Sequence, residues 1–159
     1  MTEKKMLDDT GGAWELAFYR LGVAKEDLAA AEYAMVHGQY RVAGNRAYYA
    51  IFHAISACLA LEFKAFKHHA QVIGTFNKDF VHTGKFPKNL AKKIAEAQNI
   101  REACDYEDFY IVSVADTEKQ METAREMVNL VGAYLDEEKK SSKHCILFIK
   151  KKYSRSEDH

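Results

Sequence analysis

The sequence predicts an all-α protein, an up-and-down antiparallel helical bundle of four principal helices plus a short extra helix. The first observation behind this is that 159 residues include only one proline and eight glycines, so few residues interrupt a helix. The second is that apolar residues recur at spacings of three and four over several long segments. The third is a composition of 48% apolar and 29% charged residues, which is typical of a globular domain. A chain of this length needs no disulfide or metal to hold its core.

The first two predicted helices cover residues 12–36 and 40–61. The first carries one apolar stripe, formed by Ala17, Leu21, Ala24, Leu28, Ala31 and Met35. Gly38 follows this stripe, at the position where a glycine commonly ends a helix. The second helix is apolar almost all the way round, which predicts that it is the central, buried helix of the bundle.

The third and fourth helices are predicted from weaker patterns. A loop at 62–67 precedes a short helix over 68–82, which ends at Thr83, Gly84 and Lys85. Pro87 fits the first turn of the next helix, because its missing N–H has no partner there in any case. That helix continues to about Tyr106.

The last helix is predicted to start at Ser113, after an irregular, aromatic-rich link at 107–112. Ser113 stands at the cap position with Asp116 three residues later, a variant of the capping box. The apolar stripe of this helix is formed by Met121, Ala124, Val128, Val131 and Leu135.

The composition changes after residue 136, which divides the chain into a predicted bundle domain at 12–136 and a tail at 137–159. The tail is charged, and it contains one apolar burst at 145–149. We expect the tail to be partly disordered. The burst is open to three interpretations: a short strand, a packing arm or a sticky disordered segment.

Charge and cysteine content exclude several classes of protein. The chain has 23 basic and 23 acidic residues, so it lacks the strong positive charge of proteins that coat nucleic acid. Its cysteines, Cys58, Cys104 and Cys145, show no disulfide pattern, and we expect the first two to be core residues. There is no N-terminal secretion signal and no apolar run of about 18 residues. We therefore expect a soluble cytoplasmic protein that does not bind the membrane.

Arg101 is the clearest anomaly of the sequence, because it falls in the middle of an apolar stripe that runs from Leu90 through Ile94 and Ala97 to Cys104. A guanidinium keeps its charge, so burying it is costly unless it is paired. One interpretation is a structural salt bridge with Asp105, one turn along. The other is an arginine in a cleft that faces a phosphate or a carboxylate, with Asp105 and Tyr106 beside it.

A second group of polar residues lies on the central helix. Arg46, Tyr49 and His53 are spaced at i, i+3 and i+7, so they share one helix face, with Asn45 next to them. A histidine in such a place can act as a general acid or base near neutral pH. The alternative is a core histidine that has a hydrogen-bond partner and no chemical role.

The histidines His68, His69 and His82 do not indicate a metal site. No Asp, Glu or Cys stands at a spacing that would complete a tetrahedral set of ligands with them. The sequence also lacks the glycine-rich phosphate loops, the zinc-protease motif and the nucleophile elbow. We therefore predict no metal and no cofactor.

Three blocks of the sequence resemble the HEPN-domain family, the "higher eukaryotes and prokaryotes nucleotide-binding" proteins, and in particular its short bacterial and archaeal members. The blocks are 38–54 (GQYRVAGNRAYYAIFHA), 66–73 (FKHHAQVI) with 80–85 (FVHTGK), and 101–106 (REACDY). The resemblance implies an antiparallel helical bundle that is often a homodimer. Many such proteins are metal-independent ribonucleases or toxins, others pair with a small nucleotidyltransferase that acts as antitoxin, and some are inactive binding modules.

The chain departs from the family's ribonuclease motif, R-x(4–6)-H. A histidine would be needed at 106, 107 or 108 after Arg101, and the chain has Tyr106, Glu107 and Asp108 there. Arg46 and His53 match the spacing, but they lie on the central helix rather than in the family's usual block. Whether the protein is an enzyme, such as a metal-independent ribonuclease, stays open at this point.

Two functional hypotheses and a structural one follow from these features. In the first, a HEPN-like protein binds RNA or a nucleotide as the toxin-like half of a pair with a nucleotidyltransferase. In the second, a non-catalytic dimeric bundle acts as a protein–protein interaction module. In the third, the polar residues only fix the register of the helices. The predicted catalytic residues are Arg101, Asp105 and His53, and the predicted binding residues are Asn45, Arg46, Tyr49, His69 and Tyr106.

Overall fold

The computed structural model describes residues 3–62, 68–107 and 110–154, and this part of the chain folds into α-helices without strands. The helices are α1 (Glu3–Val36), α2 (Tyr40–Ala60), α3 (His69–Phe76), α4 (Leu90–Tyr106) and α5 (Val114–Ser154). The all-α bundle, with four principal helices and the short α3, is confirmed. None of the described helices has the length and apolar character needed to cross a membrane.

Helix α2 is the central element, as predicted, because it contacts each of the other four helices. Tyr48, Ile51, Ile55 and Leu59 on this helix are at most 1% exposed. Burying a large apolar side chain contributes about 1.5–3 kcal/mol. The nearly all-round apolar character of α2 is therefore explained by neighbours on every side.

The turn between α1 and α2 depends on Gly38, which has a positive φ of 72°. The Gly38 N–H donates to the Met35 carbonyl at 3.2 Å, and the Gln39 N–H donates to the Ala34 carbonyl at 2.8 Å. This is the Schellman pattern, which needs a left-handed residue after the helix. Gly38 therefore ends α1, as predicted.

The outer ends of α1 and α5 differ from the prediction. Helix α1 starts at Glu3 instead of residue 12 and passes through Gly11 and Gly12. An interior glycine lowers helix stability by only about 1 kcal/mol, so two of them need not stop a helix. Helix α5 continues from the predicted stripe to Ser154, because residues 133–154 contain no glycine or proline.

The tail therefore has a helical backbone at 137–154, and the predicted domain boundary at 136 lies inside α5. The interpretation of 145–149 as a short strand is wrong, since these residues are helical. Lysines and glutamates before the burst are good helix formers, which favours this outcome. Partial disorder of the tail stays a prediction, and residues 155–159 lie outside the described part.

The connections around α3 and α4 also correct the sequence prediction in detail. After α3 the chain forms a π-helical segment, Asn77–Val81, with His82 at its C-cap, and Gly84 with φ 83° lies in the turn that follows. Pro87 does not lie in the first turn of α4, which starts at Leu90. It lies in the preceding turn, where its carbonyl accepts the Leu90 N–H at 3.2 Å. The predicted loop at 62–67 is described only at Glu62.

The predicted cap of α5 is confirmed. The Asp116 N–H donates to the Ser113 side-chain oxygen at 3.0 Å, and α5 begins at Val114. Such a cap satisfies one of the free N–H groups of the first turn. In the link before it, residues 107 and 110–113 have no regular structure, and residues 108 and 109 lie outside the described part.

Candidate functional site

Side chains from α1, α2, α3 and α4 meet around Tyr49, on the face of α2 predicted from the spacing of its polar residues. Both arginines of this group lie over the Tyr49 ring, with guanidinium carbons 5.0 Å (Arg46) and 5.5 Å (Arg101) from its centre. We call the whole group the Tyr49 cluster. It consists of Asp27, Arg46, Tyr49, His53, His69 and Arg101.

Arg101 lies among the buried residues of α4, as its place on the apolar stripe predicted, and its side chain is 20% exposed. One terminal nitrogen donates to the Tyr49 hydroxyl at 3.3 Å. Its Nε lies 3.3 Å from an Asp105 carboxylate oxygen, in an ion pair without hydrogen-bond geometry. Burial opposes the charged form, but nearby Tyr49, Tyr48 and Asp105 outweigh it and raise the pKa of Arg101. The guanidinium is therefore held charged within the cluster.

The Arg101–Asp105 ion pair does not by itself explain an arginine on this stripe. The Asp105 side chain is 36% exposed, and ion pairs open to solvent contribute about 0–1 kcal/mol. Arg101 Nε is buried without a hydrogen bond, and so is the hydroxyl of Tyr48, whose ring centre lies 5.0 Å from the guanidinium carbon. Each unsatisfied buried polar atom costs about 1–3 kcal/mol. Buried polar atoms normally have partners, so these two call for an explanation, and a bound anion or water is one that fits the charge of Arg101.

Asp27 on α1 belongs to the cluster and was missed in the sequence. One of its oxygens accepts from Arg46 at 3.2 Å, and the other lies 2.8 Å from His53 Nδ1. Its side chain is only 12% exposed. The available signal was its position three residues after Ala24 and four before Ala31, which places an acid beside the buried stripe of α1.

His69 joins the cluster from the start of α3. Its ring stacks on Phe52 at 4.0 Å between centres and meets Tyr49 edge-on at 6.3 Å. Burial lowers the pKa of His69 below its usual value of 6.5, and nearby Arg101 and His53 lower it further. His69 is therefore mostly uncharged at neutral pH. His53, with its ring 6.1 Å from that of Tyr49, is the histidine with a carboxylate partner.

Two of the predicted binding residues differ in their placement. Asn45 lies beside the cluster, because its side-chain oxygen accepts from Arg46 at 2.8 Å. Tyr106 is the last residue of α4 and its side chain is 80% exposed. The structure therefore brings Asn45, Arg46, Tyr49, His53, His69, Arg101 and Asp105 together and leaves Tyr106 at the rim.

An open cleft of about 600 Å³ lies at the end of the bundle where α1 turns into α2, and none of the residues of the Tyr49 cluster lines it. It is lined by residues 38–42 and 110–112, which include Tyr40, Tyr110 and the exposed Ile111. Val42 in its wall precedes Arg46 by one turn of α2. Sites for small organic ligands commonly have volumes of 300–1,000 Å³, so the cleft is in the size range of such sites.

Two predictions about cysteines and metals concern other parts of the bundle. Cys58 and Cys104 are free and buried, as expected of core residues, and burial raises the pKa of both thiols. In residues 3–62, 68–107 and 110–154, no three His, Cys, Asp or Glu side chains are grouped so that they could hold a metal ion.

A comparison with protein families matches residues 19–139 to the HEPN domain. The chain belongs to the HEPN-domain family. The match includes every residue of the Tyr49 cluster, so the cluster lies within the family's own fold. The resemblance inferred from three short sequence blocks is thus confirmed for the family.

Relatives of this HEPN protein occur in a bacterium and in archaea. A UPF0332 protein of Thermotoga maritima is 30% identical over 71% of the chain and 80% of the relative. Two proteins of Methanocaldococcus jannaschii are named as proposed toxins. One is 38% identical over 53% of the chain and 63% of the relative, and the other is 29% identical over 70% and 76%.

Proposed function

We propose that this HEPN protein is a toxin-like protein that binds RNA at the Tyr49 cluster and cleaves it with His53 as the proton acceptor. The observation that carries the proposal is the meeting of two arginines and a carboxylate-bound histidine around one phenol. Arg46 and His53 side chains are 40% and 30% exposed, so a ligand can reach them. The names of two relatives, which are proposed toxins, support the toxin-like part.

The two arginines provide the donors that a phosphate needs. A guanidinium has five N–H donors. Among the described residues, Arg46 donates to Asp27 and Asn45, while Arg101 donates to Tyr49 and pairs with Asp105. The remaining donors can bind phosphate oxygens, for which the planar guanidinium is well suited. Because the chain has no net charge, binding of RNA depends on this local group rather than on bulk attraction.

The proposed reaction uses the 2′-hydroxyl of RNA as the nucleophile. His53 Nε2 takes the 2′ proton, the 2′ oxygen bonds to phosphorus, and the bond from phosphorus to the 5′ oxygen breaks. The 5′ oxygen takes a proton from water, and the imidazolium later gives its proton to the resulting hydroxide. The products are a 2′,3′-cyclic phosphate and a 5′-hydroxyl, and Arg101 stabilises the negative charge that develops on the phosphoryl oxygens.

The proposal is tested with a fluorescent single-stranded RNA in buffer that contains EDTA. Wild type should bind and cleave it, Arg101→Ala should lose binding, and His53→Gln should bind but not cleave. Arg125→Ala is the matched control, since this exposed arginine of α5 pairs with Glu32 of α1, outside the Tyr49 cluster. An RNA that wild type neither binds nor cleaves, or equal cleavage by His53→Gln, would contradict the proposal.

The proposed biological setting is a toxin–antitoxin pair with a small nucleotidyltransferase, which the family resemblance implies. Expression of wild type alone in a bacterial host should then arrest growth, and expression of His53→Gln should not. The adjacent gene should then encode a small nucleotidyltransferase, whose co-expression should restore growth and which should co-purify with the chain. If wild type and His53→Gln both arrest growth, toxicity does not depend on proton transfer at the Tyr49 cluster.

A second candidate function is a non-catalytic homodimer that acts as a protein–protein interaction module. It is favoured by exposed apolar side chains at the end of the bundle that holds the cleft, namely Tyr33, Val36, Val42 and Ile111. Such exposed apolar surface is typical of interaction sites. Light scattering should then show a dimer that Ile111→Glu converts to a monomer, while RNA binding is absent in both forms.

A further inference from the structure

Asp27 links two side chains of the central helix through separate oxygens. Its Oδ1 accepts from Arg46 at 3.2 Å, and its Oδ2 lies 2.8 Å from His53 Nδ1. The carboxylate comes from α1, so His53 is held from a different helix than the one that carries it. The contact between Asp27 and His53 is short and the acid is nearly buried, which limits how the imidazole can turn.

The chemistry of these partners decides which ring nitrogen of His53 carries the proton. A carboxylate only accepts hydrogen bonds, so the nitrogen that faces Asp27 must be the donor. His53 Nδ1 therefore carries its hydrogen, and in the neutral ring Nε2 has the free lone pair. A hydrogen bond at one ring nitrogen commonly sets the state of the other in this way.

We propose that Asp27 is a positioning residue that holds His53 in the Nδ1-protonated form and directs Nε2 to the reacting proton. The proposal rests on the function proposed above, in which His53 accepts the 2′ proton of RNA. It assigns the orienting acid to α1, outside the sequence block 101–106 that resembles the family motif. Asp27 itself makes no contact with the substrate in this scheme.

Arg46 makes Asp27→Asn an unusually sharp test. A guanidinium can only donate, so the new amide must turn its oxygen towards Arg46. Its NH₂ group then faces His53 Nδ1, which has to accept. The ring proton is consequently expected on Nε2, where it blocks proton uptake. The side chain keeps its size and both hydrogen bonds, so folding is expected to survive.

The first measurement is the tautomer of His53 in the RNA-free full-length protein. Nitrogen-15 NMR of histidine-labelled protein in alkaline buffer gives the tautomer directly, and the spectrum of His53→Gln identifies the His53 signals among the seven histidines. Wild type should be protonated on Nδ1 and Asp27→Asn on Nε2. Glu26→Gln, a neighbouring exposed acid on α1, should resemble wild type. Wild type with the proton on Nε2, or a folded Asp27→Asn with an unchanged tautomer, would overturn the proposal.

The second measurement is RNA cleavage by the same variants. Asp27→Asn should lower kcat by about 10²- to 10⁴-fold, the range that a general base contributes, with little change in KM. Glu26→Gln should cleave as wild type does. If wild type does not cleave RNA, the proposed function fails, but the tautomer still decides the role of Asp27. A switched tautomer with unchanged kcat would refute its role in the reaction.

Discussion

Replacing Tyr48 by phenylalanine should stabilise the protein and weaken its binding of RNA. Tyr48 is 1% exposed and its hydroxyl makes no hydrogen bond of standard geometry within the described residues, although the neighbouring Arg101 guanidinium still acts to lower the pKa of the phenol. Burial raises the pKa of this phenol above 10, so the hydroxyl stays protonated and can donate. The change removes the hydroxyl and leaves the ring, which packs near the Arg101 guanidinium.

The size of the effect follows from the burial of that oxygen. An unsatisfied buried polar group costs about 1–3 kcal/mol, which the substitution should recover. For 159 residues, an unfolding entropy of about 2.1 cal/mol/K per residue amounts to about 0.33 kcal/mol/K. The melting temperature should therefore rise by roughly 3–9 °C. If the hydroxyl donates to a bound phosphate, its loss should weaken RNA binding by roughly 2- to 12-fold, the equivalent of about 0.5–1.5 kcal/mol.

The assay is thermal unfolding together with RNA binding, with Tyr49→Phe as the matched control. The Tyr49 hydroxyl accepts a hydrogen bond from Arg101, so its removal should instead lower the melting temperature by about 2–5 °C. The expected result is a melting temperature that rises for Tyr48→Phe and falls for Tyr49→Phe. A lower melting temperature for Tyr48→Phe would show that its hydroxyl has a partner, and would refute the reasoning.

Four further expectations concern the rest of the fold. Gly38→Ala should destabilise the protein by about 1–2 kcal/mol in urea unfolding, because φ is 72° there. Gly22→Ala, inside α1 with open space around it, should stabilise the protein by about 0.5–1 kcal/mol. Equal changes in the free energy of unfolding for Gly38→Ala and Gly22→Ala would contradict this expectation. Burial lowers the pKa of His69, so the unfolded chain binds more protons near the usual 6.5. The stability from neutral His69 is then complete above pH 6.5 and is lost as the pH falls through the folded pKa. In urea unfolding measured at several pH values, His69→Phe should remove this dependence of the midpoint on pH. Burial raises the pKa of the Cys58 thiol, so peptide mapping should show its alkylation only after unfolding; rapid labelling of the native protein would disagree.

Most of the fold could be predicted because it depends on local patterns. The apolar surround of α2 indicated its central place, and Gly38 and Ser113 marked a helix end and a helix start with their expected hydrogen bonds. The errors occurred where a change of composition was taken for a change of structure. Gly11 and Gly12 did not stop α1, and the charged segment after residue 136 did not stop α5. Helix propensity is a weak preference, and a continuous helix satisfies the backbone without a new cap.

The candidate site was predictable only in part. Arg101 was found because a charge interrupted an apolar stripe, and Arg46, Tyr49 and His53 because they share a helix face. Asp27 gave the same kind of signal on α1, but an acid beside a stripe is common on helix surfaces. Its role depends on partners 19 and 26 residues away in sequence, on another helix.

The sequence by itself determined the helices, the central place of α2, the family and the faces on which the polar residues lie. These follow from the 3.6-residue period and from turn chemistry, which act over a few residues. The tertiary structure alone decided that Asp27 meets His53, that Arg46 and Arg101 share the Tyr49 ring, and that the Tyr48 hydroxyl is buried near Arg101 without a hydrogen bond of standard geometry among the described residues. Hydrogen bonds act over about 3 Å, so the partner of a side chain is fixed only once the helices are packed.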